Sequence, residues 1–549
     1  MQLPSLSFIP ITVTKVAAPA VLWADGDRIS PAAACDNAYC LPEPDDAPAA
    51  FGSAVRTYLV DKYGGTGAGT AGGSGRCGVF GDLQIKGIGR TALVTQRHDP
   101  FHSNGMVGIE EAAREIIWSQ IAQSALPYGA VATPGALLTG TTFTVQQADG
   151  SLECRPRVLL LREWALRPAH YMRNIYFKDP AQAGPGADAK RSADALATIH
   201  DAFEHLFPEC AGLDHVAALN TGLRAMAERF AAQVATSFAK RIYHGGLSPS
   251  NIALDGKFID FGTMTTVPAY RRRAIQPLSP DFWTEQVALK NTVTELRFYI
   301  DKYVAPARRG DLIGAARLEA IFVQALCRKQ QVELLKLAGV SEDAIAHFGQ
   351  VRAGALQRCM TAIIQRRNSE PFVTWTAGAG GAHCAARRGP YDLSRLIARA
   401  SLLTLAGGSH QYLRTTLDDA ALADELAHYL RELIDVALTH SPAPPAQAKM
   451  TLMRDALRRN ACVEFLTDTF LNPQLSGLKS SPGALASHID KVIAHAREIF
   501  ADIDLPAQSP ARATGLSFEH WLYGNLPYTG GAIGAQNHDL ARDIWNSVQ

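Results

Sequence analysis

Neither sign of charge dominates this chain: 53 Lys and Arg stand against 52 Asp and Glu, a formal net charge of +1. That balance removes the electrostatic case for nucleic acid or an anionic membrane surface as the main partner. The one short basic run, Arg271-Arg272-Arg273, reads as a solvated loop, with a contact to a polyanion or an acidic substrate as the alternative. Cysteine is scarce and scattered, nine in 549 residues, with no C-x-x-C pair and no Cys/His spacing suited to zinc. Reduced thiols and a cytoplasmic location are the expectation, although Cys35 and Cys40 are near enough in sequence to close a small loop. No apolar run is long enough to span a bilayer, so no membrane partner is expected. The N-terminus has no basic region ahead of its mildly apolar stretch, which argues against a secretory leader. What is present suits a packed core: 47% hydrophobic and 19% charged residues, over a length that accommodates two to four compact units or one large elaborated domain.

The most informative stretch is YHGGLSPSNIALDGKFIDFGT, residues 243–263. It holds a His-Gly turn at His244, an Asn seven residues later, and a D-F-G tripeptide at Asp260. Ile252-Ala253-Leu254 and Lys257-Phe258-Ile259 read as two short strands joined by a tight turn at Asp255-Gly256. Such a hairpin returns Asn251 and Asp260 side by side. An Asn and a D-F-G Asp at the two ends of a hairpin are how protein kinases hold Mg²⁺ against ATP phosphates. D-F-G alone is a common tripeptide and can be a plain surface turn; the ordered combination of HG, PSN and IDFG carries the signal.

Residues 1–60 are rich in Pro, Ala and Asp and read as an extended arm laid on a core. A glycine-rich run follows at 64–75, in which Gly67 to Gly72 matches G-x-G-x-x-G. A dinucleotide fingerprint would need a helix to start inside that motif, and here more glycine and then a strand follow. The run is therefore a linker or a phosphate-approaching loop, the latter favoured at Gly73, Gly75 and Arg76. The alternating segment from Gly81 to Gly87 predicts a strand carrying Lys86, and the 3.6-residue period from Ile109 to Ala125 predicts a helix carrying Glu115. A strand Lys paired with a helix Glu clamps ATP phosphates in kinase-like folds. Glu110 and Glu111 compete with Glu115 for that role.

Further strands are expected at Thr141–Val145 and Val158–Arg162, with a turn at Ala148-Asp149-Gly150 between them. From Asp188 the pattern is helical, with segments at 195–207, 217–241, 283–303, 311–337, 393–405, 417–438, 450–471 and 485–500, and loops at 378–390 and 441–446. The fold class expected is α+β: a protein-kinase-like bilobal fold with a strand-rich N-lobe (61–165), a helical C-lobe carrying the metal hairpin (166–305), and a large helical C-terminal extension (306–549).

Three blocks, DLQIKGIGRT, the AREI helix and HG-x5-N-x8-D-F-G, resemble the selenoprotein O family of kinase-like protein adenylyltransferases, whose typical blocks are DLQLKGSGRTP, IREF and HG…TDN…DYG. The resemblance covers roughly 73–262. It implies ATP bound in a flipped orientation, Mg²⁺ or Mn²⁺ as cofactor, and transfer of AMP to protein hydroxyls. It also implies roles residue by residue. The phosphate loop falls on Gly73, Ser74, Gly75 and Arg76, the nucleotide Lys on Lys86, its partner on Glu115, and the Asp-Gly pair on Asn104-Gly105. The phosphate arginines fall on Arg162 and Arg173, with Arg167 as a rival, and the metal ligands on Asn251 and Asp260. The family's catalytic Asp is Ser250 here, and a hydroxyl does not accept a proton at neutral pH as a carboxylate does.

The leading expectation is a Mg²⁺-dependent protein adenylyltransferase taking ATP and a protein or peptide acceptor, with Asp260 and the Ser250 position at the chemistry. The alternatives are another ATP-driven transfer on the same site, such as phosphorylation or acyl-adenylate formation with amide ligation, and a nucleotide-binding pseudokinase scaffold.

Overall fold

The computed structural model describes residues 3–65, 72–94, 104–146, 150–174, 185–275, 280–304, 310–367, 392–500, 518 and 535–548. Its strands are β1 Phe8–Val16, β2 Ala20–Ala24, β3 Tyr39–Cys40, β4 Phe51–Asp61, β5 Cys77–Phe80, β6 Leu83–Lys86, β7 Gly135–Gln146, β8 Leu152–Glu163, β9 Ile242–Tyr243 and β10 Thr265–Thr266. The first eight make one antiparallel sheet, in the order β2-β7-β8-β6-β5-β4-β1-β3, and β9 pairs with β10 alone. The fold is mixed α+β.

The apolar run Val158-Leu159-Leu160-Leu161 is buried throughout, as a central strand covered on both faces requires. β6 pairs with β8 so that Gln84 lies opposite Arg162 and Lys86 opposite Leu160. Gln84 and Lys86 are two residues apart, so they and Arg162 share one face of the sheet. Residues 1–60, expected as an arm, instead supply three of the eight strands and nearly all of β4. Their alternation is broken by Pro and Ala, yet β1 pairs along almost its whole length with β4.

The helices are α1 Pro31–Asp36, α2 Ile109–Ala125, α3 Pro168–Tyr171, α4 Pro185–Leu196, α5 Ile199–Leu206 and α6 His215–Ala239. They continue as α7 Gln286–Tyr303, α8 Ala315–Leu335, α9 Glu342–Phe348, α10 Gln350–Arg367, α11 Leu393–Ala406 and α12 Ser409–Thr416. The last are α13 Ala420–Thr439, α14 Pro445–Arg459, α15 Asp468–Leu478, α16 Pro482–Phe500 and α17 Ala535–Val548. α2 has Glu110 and Glu111 in its first turn, where carboxylates complement the helix N-terminus. It is buried nearly all round, because it packs on β8 on one side and on α16 on the other.

Two expected helices are each two. The segment 195–207 breaks at Ala197-Thr198, where the Thr198 hydroxyl donates to the Ala195 carbonyl (2.8 Å). The segment 450–471 breaks after Arg459, and the carbonyls released there are used: Arg241 donates to those of Arg459 and Ala461, and Thr266 to that of Val463. The loop expected at 441–446 is partly helical, since α14 begins at Pro445. Cys35 and Cys40 are free thiols. The basic run is not merely solvated, for Arg272 pairs with Asp281 and Arg273 with Asp468. Most of the glycine-rich run (66–71), the turn residues 148–149 and the loop 378–390 lie outside the described residues.

Candidate active site

The stretch from Tyr243 to Thr263 begins on β9 and ends just before β10. His244 is followed by Gly245 at φ 77°, where a β-carbon would stand 2.1 Å from Ile275 Cδ1, so the turn requires glycine. Burial lowers the His244 pKa to about 4, which keeps the ring neutral. It donates from Nε2 to the Ile259 carbonyl (3.1 Å) and accepts the Gly246 amide at Nδ1 (3.3 Å). Thus the first residue of the turn holds the one immediately before Asp260.

The hairpin itself is shorter than expected. Ile252–Leu254 and Lys257–Ile259 are not strands; one antiparallel bridge, Ile252 to Phe258, joins them. The Ala253 amide donates to the Lys257 carbonyl (2.9 Å) and the Ile259 amide to the Asn251 carbonyl (3.1 Å). The outer edges do not extend this ladder because other segments take them: Leu254 donates to the Leu166 carbonyl and Val131 to that of Phe258. The Asp255-Gly256 turn forms as expected, with Gly256 at φ 99°. Asn251 and Asp260 therefore emerge beside each other. The Asn251 amide nitrogen donates to the Gly246 carbonyl (2.7 Å), which leaves Oδ1 as its outward atom. Asp260 has a left-handed backbone, φ 68°, unusual for a residue with a side chain and frequent at functional sites.

Lys86 joins three remote parts of the chain. Its ammonium lies 2.7 Å from Glu115 Oε1, 2.8 Å from Asp260 Oδ1 and 3.3 Å from Glu111 Oε1. The strand Lys and helix Glu are paired, and Glu111 participates rather than merely competing, since it also accepts from Arg76 (2.7 Å). Lys86 and Glu115 are buried, whereas the Asp260 side chain is 38% exposed, so the cluster opens to solvent at the D-F-G carboxylate. Burial works against charge on Asp260, yet Lys86, Arg162 and Arg76 hold its carboxyl well below the usual range. Burial pushes Glu115 up, opposed by Lys86. Lys86 and Arg76 are both held firmly protonated: burial opposes their charge, and the surrounding carboxylates overcome it.

A second layer meets at Gln84. Its Oε1 accepts from Arg162 Nε (2.7 Å) and from Arg167 Nη2 (3.0 Å), and its Nε2 donates to Asp61 (3.2 Å). Asp61 is fully buried; burial opposes its charge, but His170, at 3.1 Å, and Arg167 keep it ionised. Arg167 also donates to the Ser250 carbonyl (3.0 Å), which ties this layer to the hairpin. Of the two candidates named above, Arg167 is the one that shares Gln84 Oε1 with Arg162. The Arg173 carbonyl accepts the Gly65 amide, and its charge acts on Tyr299 of α7. The short helix α3 stands between Arg167 and Arg173.

The remaining expected residues frame the cluster. Gly73 bridges to Lys62, and a β-carbon there would stand 2.4 Å from the Asp61 carbonyl oxygen. The Ser74 amide donates to that carbonyl, and the Gly75 carbonyl accepts from Thr91. These backbone groups hold the segment against β4 and bring Arg76 to Glu111. Asn104 Oδ1 accepts the Met106 amide, and the Gly105 carbonyl accepts the Gly89 amide; Arg76 donates to the Met106 carbonyl. Ser250 is buried, its hydroxyl 2.9 Å from Ser248 Oγ and 3.4 Å from Asn251 Oδ1. Residues missed in the sequence are Gln84, Asp61 and His170, whose partners are far away in the chain. Glu285 was missed too: it accepts the amides of His244 (3.3 Å) and Gly245 (2.7 Å) from the start of α7.

Three buried polar atoms here have no hydrogen-bond partner among the described residues: Glu115 Oε2, Arg162 Nη1 and Arg167 Nε. Buried orphans at one place call for water, an ion or a ligand. An amide oxygen and a carboxylate suit a hard divalent cation that keeps waters and binds phosphate, and the flanking Lys and Arg groups suit the phosphates. The residues therefore fit Mg²⁺ with a nucleotide triphosphate. Comparison with protein-family models and with curated proteins finds no match for this chain.

Proposed function

We propose that this chain is a Mg²⁺-dependent, ATP-using protein adenylyltransferase of kinase-like bilobal architecture, a divergent relative of the selenoprotein O family. In this reading the sheet with α2 is one lobe and the helices from α3 onward the other. The observation that supports it most is Lys86 standing between Glu115 of α2 and Asp260 of the D-F-G hairpin. A positive group fixed by a helix carboxylate beside a metal-binding carboxylate is what ATP phosphates need.

Asn251 and Asp260 would hold the cation, whose chemistry when bound is to offset triphosphate charge. Lys86, Arg76, Arg162 and Arg167 supply fixed positive charge around the phosphates and reorganise little during reaction. An acceptor hydroxyl oxygen bonds to the α-phosphorus, the bond to the bridging oxygen of the β-phosphate breaks, and pyrophosphate leaves. With Ser250 in place of the family base, the acceptor proton passes to Asp260, another carboxylate or the substrate's own phosphate oxygens. A loose transition state needs little base assistance, so slow transfer follows. Ser250 is also the one observation that favours a non-catalytic, nucleotide-binding scaffold.

Titration calorimetry of Mg-ATP against the wild type and Asp260→Ala tests the nucleotide site. The expected result is Mg²⁺-dependent binding that the variant loses by roughly 10-fold or more, since the cation is then short of charge and coordination. Equal affinity in the two proteins would remove the reading.

A further inference from the structure

A cavity of about 290 Å³ lies among α6, α7, α8 and α10, separate from the Lys86 cluster. That is near the lower end for small-molecule sites, roughly 300–1,000 Å³. One part of its wall is aromatic: Phe238 stacks on Phe282 with centroids 4.9 Å apart and meets Trp283 edge-on at 5.8 Å. Gln330 and Thr361, on α8 and α10, are among its partly exposed lining residues. At the start of α7 stands Glu285, 4% exposed, the one acidic group among the described lining residues, which include no Lys, Arg or His. Its two oxygens accept the His244 and Gly245 amides. Each oxygen has a second lone pair, and no cation within the lining answers the charge.

We propose that this cavity binds a small organic cation, an arylalkylamine, with its ammonium on Glu285 and its apolar body against Phe238, Phe282 and Trp283. A carboxylate beside aromatic faces is the chemistry that recognises an alkylammonium carried on an apolar group. Burial pushes the Glu285 pKa up to about 8 in spite of the two amides, and a neighbouring ammonium offsets that penalty. The site communicates with the hairpin through hydrogen bonds: Glu285 fixes the His244-Gly245 turn, and His244 fixes the carbonyl before Asp260. The ligand is therefore an effector of the hairpin, and its binding does not depend on what the Lys86 cluster binds.

The test is titration of the full chain, without nucleotide, with 2-phenylethylamine and with its neutral analogue 2-phenylethanol. One-to-one binding of the amine at least 10-fold tighter than the alcohol is expected. Thr361→Phe, at a partly exposed lining position, should fill part of the cavity and weaken the amine at least 10-fold while the variant stays folded. Glu285→Gln should erase the preference for the amine; if that variant fails to fold, the ligand pair and Thr361→Phe still decide. Hydrogen exchange at the His244 and Gly245 amides should slow when the amine binds. No binding of the amine at millimolar concentration, equal affinity for the alcohol, unchanged affinity in Thr361→Phe, or unchanged exchange with the amine bound would each overturn the proposal.

Discussion

Ser250 separates a working transferase from a relic more sharply than any other position. Its hydroxyl is held by Ser248 and lies against Asn251 Oδ1, so an Asp introduced there would place a carboxylate beside the hairpin and near Arg167. Ser250→Asp is expected to raise transfer from the α-phosphate by about 10-fold or more, because general-base assistance is worth on the order of 10²-fold or greater. A rate unchanged or lower, with ATP binding intact, would show that the acceptor proton does not pass through this position. His244 gives a pH dependence. Its ordinary pKa of 6.5 is lowered to about 4 in the folded chain, so the stability it contributes is complete above 6.5 and is lost as pH falls toward 4. The loss is on the order of 3 kcal/mol. Denaturant melts from pH 7 to pH 4 should show it, and His244→Gln should be weaker at pH 7 with a shallower acid loss; an equally steep loss in the variant would assign it elsewhere. At this scale the sequence was legible where chemistry is local. Asn251, Asp260 and the Gly256 turn could be found from spacing. Gln84, Asp61 and His170 could not, since what selects them is a shared set of hydrogen bonds between β4, β6 and the segment after β8.

The clamp at the level of elements is β6, α2 and the hairpin, three short pieces brought together through one ammonium. Lys86 contacts Glu111 and Asp260 as well as Glu115, so the Lys86–Glu115 pair is strongly but incompletely self-contained. A double-mutant cycle on ATP affinity with Lys86→Met and Glu115→Gln should show each single change weakening binding and the double losing much less than the sum. Additive losses would mean that the two act independently. α2 was readable to the residue because its apolar period is strong, whereas the break between α14 and α15 was not. That break is enforced from outside: Arg241 and Thr266 take the carbonyls that a continuous helix would have kept. The N-terminal segment read as an arm for a similar reason: only the short run Ile11–Thr14, inside β1, is strand-like in sequence, and pairing with β4 overrides a composition that otherwise reads as irregular.

Across the whole molecule, the C-terminal helices brace the strand-rich part rather than trail from it. Asp490 of α16 accepts from Trp23 of β2 (2.8 Å), and Arg497 donates to Gln120 of α2 (2.7 Å). Lys240, just after α6, donates to the carbonyls of both Ala125 and Phe500. Since α16 covers the side of α2 that the sheet does not, a chain ending before α15 would expose Ile, Ala and Trp side chains of a helix buried nearly all round. Such a truncation is expected to be insoluble or to lack a cooperative melt, as solubility and thermal unfolding would show; a soluble, cooperatively folded product would contradict the brace. Adenylyl transfer is tested most directly with ATP labelled separately at the α and γ positions. Incubation with Mg²⁺ and a protein acceptor should leave the α label covalently attached and the γ label in pyrophosphate, with the attachment lost in Asp260→Ala. Attachment of the γ label, or of neither, would contradict it.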